Sequence, residues 1–278
     1  MVTAIYLVLG VFTVAYASLF FRASAGARPG PGHLLTGFVT NFFDTLGIGS
    51  FATTTAIFKF RSMVPDQLIP GTLNAGHTLP TVLQAVIYIS AIEVDSLTLL
   101  LLIAAAVVGA WFGAAAVAGF PLRAVQLGVG GALLFAAAVL FMRQFDLFPA
   151  GGNALGLSGW KLLAAVAGNA VFGAISTLGI GFYAPCMTMV SLLGMNPAAA
   201  FPIMMGSSAF LMPVASTQFV RRKSFSAPVA LGLALGGLAG VPLAAFVVKS
   251  LPLEGLRWLV IVVVLYAAIL MLRSGDPK

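Results

Sequence analysis

The stretches "NFFDTLGIGS" (residues 41–50) and "ISTLGIGFYA" (residues 175–184) both contain Thr-Leu-Gly-Ile-Gly inside an otherwise apolar run. Two glycines in three residues weaken a helix by about 1 kcal/mol each. The second copy lies 132 residues after the first, and the same offset carries Pro65 onto Pro197 and Pro70 onto Pro202. Further along the spacing slips to 131, where Phe120-Pro121-Leu122 matches Leu251-Pro252-Leu253. A shared pentapeptide with prolines in register predicts a duplicated chain. The expected division is an N-terminal helix and loop over 1–32, a first repeat over 33–147, a Gly/Pro/Asn-rich linker over 148–164 and a second repeat over 165–278.

The solvent for which this chain is written follows from composition. Of 278 residues, 60% are hydrophobic and 8% charged, and the mean hydropathy is +1.08. Soluble domains carry about 25% charged residues. Uncharged runs such as 97–120 and 124–142 suit helices of the roughly 20 residues a bilayer needs. They are apolar on every face, so the alternation of a membrane β-barrel is missing. The expected fold is an all-α polytopic membrane protein. A net charge of +7 does not point to nucleic acid, because the basic residues sit at the ends of apolar runs, as the positive-inside rule requires. Arg221-Arg222-Lys223 reads as a cytoplasmic loop. The run 2–21 has an Ala-Ser-Ala pattern after it but no basic residue before it, so a retained membrane helix is expected rather than a signal peptide. Cys186 is the only cysteine and can form no intrachain disulfide.

Broken backbone is tolerated at membrane depth only where protein or a polar cavity satisfies it. Each glycine motif therefore predicts two short helices meeting mid-membrane. Pro185 falls in the first turn of the helix after the second motif, where its missing N–H costs nothing. Asn196-Pro197 has the form of a cap and first residue of the next helix. If both interrupted segments turn back, the 14 Lys and Arg divide ten inside to four outside. If both span, the division is nine to five. The count favours re-entrant segments, hence three full crossings per half and inverted halves, with the C-terminus cytoplasmic.

Inverted repeats with interrupted helices at matching positions are the plan of secondary transporters that bind substrate near the midplane. Helix starts expose N–H groups with partial positive charge, so two of them facing each other make an anion site without a buried cation. The candidate substrate-binding residues are Thr45, Gly47, Gly49, Ser50, Thr177, Gly179, Gly181 and Tyr183, with Asn74, Ser207 and Ser208 lining the site. Asp44 is the one acidic residue inside a predicted membrane segment, and such groups mark pathways or relays. Asp44 and His77 are the candidate coupling groups. The alternative for Asp44 is a capping carboxylate, or a partner for Lys59 or His77. Asn41 and Asn169 read as interhelical hydrogen-bonding groups, and Gly109, Gly113, Gly236, Gly237 and Gly240 as packing faces.

"NFFDTLGIGSFATTTAIFK" (41–59) and "GNAVFGAISTLGIGFYAPCMTMVSLLGMNPAAAFPIMMGSSAF" (168–210) resemble the sulfite exporter TauE/SafE family, also called the toluene sulfonate uptake permease group. The likeness rests on the duplicated Gly-x-Gly segment, the Asn-Pro helix start and Gly206-Ser207-Ser208. It implies transport of sulfur-containing anions, such as sulfite, thiosulfate or organosulfonates, across a bacterial inner membrane. The expected partners are that small anion, the lipid bilayer and a coupling ion, proton or sodium, with a homodimer left open and no nucleic acid. No cofactor, metal or catalytic residue is expected: the sequence has no H-E-x-x-H, no paired aspartates and no Ser/His pair at a recognisable spacing. The alternatives are an anion channel, or a transporter for a non-sulfur organic anion.

Overall fold

The computed structural model describes residues 2–46, 48–117, 120–147, 151–177 and 182–247, with positions 258, 261, 262, 265, 266, 268, 269, 272 and 273 beyond them. The described chain is all-helical: α1 (Val2–Ala23), α2 (Pro31–Thr45), α3 (Ser50–Arg61), α4 (Ile69–Ala91), α5 (Ser96–Val117), α6 (Leu122–Gln144), α7 (Gly159–Ser176), α8 (Tyr183–Leu192), α9 (Ala200–Arg221) and α10 (Ala227–Pro242). Among the described residues, five stretches are long and apolar enough to cross a membrane: Thr3–Ala23, Ser96–Ala115, Gly159–Ser176, Pro197–Arg221 and Ala227–Phe246. The molecule is thus compatible with a multi-pass membrane protein. Helix α4 is as long as these but buries Thr72, Asn74, His77, Thr78, Thr81 and Gln84. Its polar side chains lower its hydropathy because they face protein rather than lipid.

Local chemistry sets the element ends. Helix α3 stops at Ser62, which adopts a left-handed conformation, and Pro65 precedes the single 3₁₀ turn Asp66–Leu68 that leads into α4. Before α9, Asn196 Oδ1 accepts the Ala198 N–H at 2.9 Å and so caps the 3₁₀ turn Pro197–Ala199. Two boundaries differ from those the sequence predicts. Helix α2 already begins at Pro31, and residues 159–164, assigned to the linker, are the first turns of α7. Pro31 and Gly159 sit where helices begin, and a turn-forming residue at a helix start has the same local signature as a loop.

Backbones approach closely along two glycine-lined seams. Where α5 meets α7, a Cβ on Gly109 would lie 1.8 Å from Ala170 O, one on Gly113 2.4 Å from Ala174 O, and one on Gly173 2.2 Å from Ala106 O. Where α10 meets α2, a Cβ on Gly240 would lie 2.4 Å from Phe38 O and one on Gly236 2.0 Å from Leu34 O. Small residues are how membrane helices gain van der Waals contact when lipid offers no hydrophobic drive. Helix α9 packs on α4, α5 and α1 and buries most of its length.

Tie points order the helix ends. Arg222 Nη1 donates to Ala115 O at 2.9 Å, Ser226 N–H donates to Thr72 Oγ1 at 2.9 Å, and Phe20 lies 6.4 Å from Phe225. The ends of α1, α5 and α9 and the starts of α4 and α10 therefore share one basic end. At the other end Asp95 N–H donates to Leu155 O at 2.8 Å, and Lys161 Nζ donates to Leu193 O at 3.0 Å. The start of α5, the start of α7 and the end of α8 meet there.

Candidate functional site

The site grows from the junction of α2 and α3. Gly49 has φ +89°, a conformation that side-chain-bearing residues rarely adopt. It lets the chain reverse and begin α3 at Ser50 close to the last turn of α2. There Asp44 Oδ1 accepts the Ser50 backbone N–H at 2.6 Å. The carboxylate thus satisfies one of the free N–H groups at the start of α3 and meets the positive end of its dipole.

The other carboxylate oxygen faces α4 and α8. Gln84 Nε2 donates to Asp44 Oδ2 at 2.9 Å and reaches Thr45 Oγ1 at 2.9 Å, while the Thr45 hydroxyl donates to Asn41 O. The Tyr88 hydroxyl donates to the Thr45 carbonyl. From the second half of the chain, the Tyr183 hydroxyl lies 3.3 Å from Asp44 Oδ2 and 3.1 Å from Gln84 Oε1, with Met205 Sδ also in reach. That hydroxyl has one proton for these acceptors. Asp44 Oδ2, Gln84 Oε1 and Met205 Sδ therefore share a single donor.

Beside this cluster lies a cavity of about 30 Å³, whose polar wall is Asp44, Ser50, Thr81, Ser176, Tyr183 and Ser208. Gly49, Phe51, Phe182, Leu211 and Met212 complete it. The volume exceeds the roughly 10–15 Å³ that one water requires. No lysine or arginine among the described residues lines it.

Of the residues singled out in the sequence, Asp44, Gly49, Ser50, Tyr183 and Ser208 converge on the cavity, and Thr45 is joined to Asp44 through Gln84. Gly47, Gly179 and Gly181 lie outside the described residues. Thr177 is fully buried and donates to Ala174 O at 2.7 Å. Ser207 accepts Asn169 Nδ2 at 3.1 Å, and Asn74 Nδ2 donates to Pro70 O at 2.8 Å. Thr177, Ser207 and Asn74 do not line this cavity. Asn74 Oδ1 and Asn169 Oδ1 are both buried without a hydrogen-bond partner among the described residues.

His77 belongs to a separate network. Its Nδ1 is 3.0 Å from Asn41 Oδ1 and its Nε2 3.0 Å from Thr54 Oγ1, while Asn41 Nδ2 donates to Gly37 O at 2.8 Å. With the Asn41 amide so oriented, Nδ1 carries the proton and Nε2 accepts the Thr54 hydroxyl. Both ring nitrogens of a neutral imidazole are then satisfied, and the ring ties α2, α3 and α4 together. Lys59 pairs with Asp66 at 2.7 Å, and Asp44 bonds neither Lys59 nor His77.

The sequence reading missed Gln84, Thr81 and Tyr88. Their signal was present: Asn74, His77, Thr81, Gln84 and Tyr88 follow one another at three- and four-residue steps, a polar stripe along one face of α4. Among the described residues no three His, Cys, Asp or Glu side chains gather to hold a metal ion. No family model, no curated protein and no solved structure matches this chain.

Proposed function

We propose that the chain is a secondary transporter that moves a small sulfur-containing anion, of the sulfite, thiosulfate or organosulfonate class, across a bacterial inner membrane by alternating access. One observation carries the reading. The starts of two short helices, α3 from the first half and α8 from the second, meet at one small polar cavity that holds a buried carboxylate. The sulfur class comes from the resemblance to the TauE/SafE family. The small volume and the lining hydroxyls are consistent with it.

The halves are inverted repeats, each with a re-entrant helical hairpin. Gly109 on α5 meets Ala170 on α7, and Gly240 on α10 meets Phe38 on α2; these two contacts are related by the repeat offset. Helix α2 starts beside α10 near the basic end, and α3 ends where α4 begins. The α7–α8 pair has both outer ends at the Asp95 end. In this reading the two hairpins enter from opposite sides.

Asp44 sits where an anion would. Its carboxylate holds the Ser50 N–H, so a substrate anion gains that N–H only when Asp44 is protonated and turns aside. The coupling ion in this scheme is a proton, which travels with the anion. Tyr183 and Gln84 receive and orient the protonated carboxyl.

The test is uptake into proteoliposomes of sulfite, thiosulfate and sulfoacetate, with taurine, sulfate and small carboxylates as competitors. Saturable uptake of a sulfur anion, driven by an imposed pH gradient and losing its pH dependence in Asp44→Asn, is expected. A bound substrate at 100 times its dissociation constant should also stabilise the purified protein by about 2.7 kcal/mol. Linear, unsaturable flux would make the protein a channel. Preference for a carboxylate would leave the transporter standing with a non-sulfur substrate. No flux and no stabilisation with any anion would overturn the reading.

A further inference from the structure

A second concavity lies far from the polar cavity, on the flank of the bundle where α1 meets α5 and α9. Its walls are Val11, Ala15 and Leu19 of α1, Trp111 of α5 and Val214 of α9, and Arg221 closes one end of it. Its volume is about 390 Å³, within the roughly 300–1,000 Å³ of ligand clefts. From Val11 to Leu19 it follows about 12 Å of helix. The residues around it face outward: Val11 is 69% exposed and Trp111 46%.

The charge around it is of one sign. Arg221 lines the groove, and no Asp or Glu does. Arg22 stands three residues beyond Leu19 on α1, hence on the same side of that helix, and Arg222 and Lys223 follow Arg221. All are exposed. The neighbouring Arg222 is partly engaged by Ala115 O at 2.9 Å, whereas Arg221, the last residue of α9, is itself part of the groove lining. An apolar channel that opens sideways and ends in guanidinium matches one kind of molecule in its surroundings: an acyl chain joined to a phosphate. A third concavity, between Phe135, Phe172, Pro185 and Leu192, has a similar volume of about 340 Å³ but no charged residue in its wall, so its lining selects no head group.

We propose that the α1–α5–α9 groove is a binding site for an anionic phospholipid of the leaflet at the basic end, with an acyl chain along α1 and the phosphate on Arg221. The basic end is cytoplasmic by the positive-inside rule, and anionic lipids of that leaflet attract basic residues at the membrane surface. Thr217, one helical turn before Arg221, lies in the same wall. Because α1 touches the bundle mainly through α9 and α4, the lipid fills the third side of its packing and joins it to α5.

The test uses the purified full-length protein in detergent, with native mass spectrometry and thermal denaturation in phosphatidylglycerol or in phosphatidylcholine of the same chains. Phosphatidylglycerol is expected to bind more tightly and to raise the melting temperature further. Arg221→Gln should weaken that binding about fivefold, and Ala15→Trp should abolish it by filling the trough. Both positions are exposed, so neither change disturbs the core. Lys161→Gln, at the opposite end, should leave binding unchanged. Equal binding of the two lipids, or full phosphatidylglycerol affinity in both groove variants, would overturn the proposal. So would an equal shift with glycerol phosphate, which has no chains, or a dimer that Ala15→Trp splits, which would assign the groove to a second copy of the chain.

Discussion

Gly49 and Asp44 act on the same turn by different means. A Cβ at Gly49 would meet nothing within 4 Å, yet its φ is +89°. Gly49→Ala is therefore a change of backbone energy alone, expected to cost about 1–3 kcal/mol and to be read as a lower melting temperature in detergent. A second carboxylate shows pH dependence more plainly, because it lies outside the membrane-spanning segments. Asp95 Oδ2 accepts the Thr98 N–H at 2.8 Å and the Thr98 hydroxyl at 2.7 Å. These bonds at the start of α5 hold its pKa below the ordinary carboxylate value. A depressed folded pKa means that the stabilisation is present above the unfolded value, about 3.9, and is lost as pH falls through the folded one. Asp95→Ala should therefore cost about 1 kcal/mol at pH 7. The gap from the native chain should close in acid, and a constant gap from pH 7 to pH 3 would show that the bonds to Thr98 are not its source.

At the scale of the helix, the two seams have the same construction, and their glycines are not interchangeable with alanine. Gly109→Ala places a methyl group where Ala170 O already is, so α5 and α7 must separate, at a cost of about 1–3 kcal/mol. A methyl group on Gly131 of α6 would meet nothing within 4 Å, and Gly131→Ala should be neutral or should add up to about 1 kcal/mol through helix propensity. Thermal denaturation of the two variants side by side distinguishes contact from propensity. A loss in both would mean that propensity and contact do not explain the seams. Helix α4 shows the opposite use of a helix face, with polar groups turned inward. Its Gln84 serves the cavity and its His77 the clamp on Asn41 and Thr54.

For the whole molecule, charge is separated between two ends, and the proposed orientation rests on that separation. Arg22, Arg221, Arg222 and Lys223 gather at one end and Glu93 and Asp95 at the other. Cys186 is fully buried, which makes the native chain a silent background for membrane-impermeant thiol labelling. Arg22→Cys and Glu93→Cys, both at exposed positions, should label from opposite sides of the membrane, Glu93→Cys from outside. Labelling of both from one side would refute the common basic end and the topology built on it.

Much of this organisation is written in composition and spacing. A chain with 60% hydrophobic residues has to satisfy its backbone within helices if it enters a bilayer. Glycine breaks and prolines mark where those helices stop, since the penalties they impose are local. Asp44, Gly49, Ser50, Tyr183 and Ser208, which line one cavity, were legible as candidates for the same reason: each stands out in its own apolar surroundings. What the chain's order could not reveal is which polar group answers which. The sequence offered Asp44 either as a coupling group or as a capping carboxylate, and the fold brings its carboxylate onto the Ser50 N–H as a cap. It set His77 beside Asp44 as a coupling group, whereas the ring is bonded to Asn41 and Thr54. Gln84 and Tyr183, 99 residues apart, meet only because α4 and α8 converge. Hydrogen bonds reach about 3 Å and depend on direction, so their pairing is decided by how helices pack in three dimensions, and the apolar pattern that builds the helices is indifferent to it.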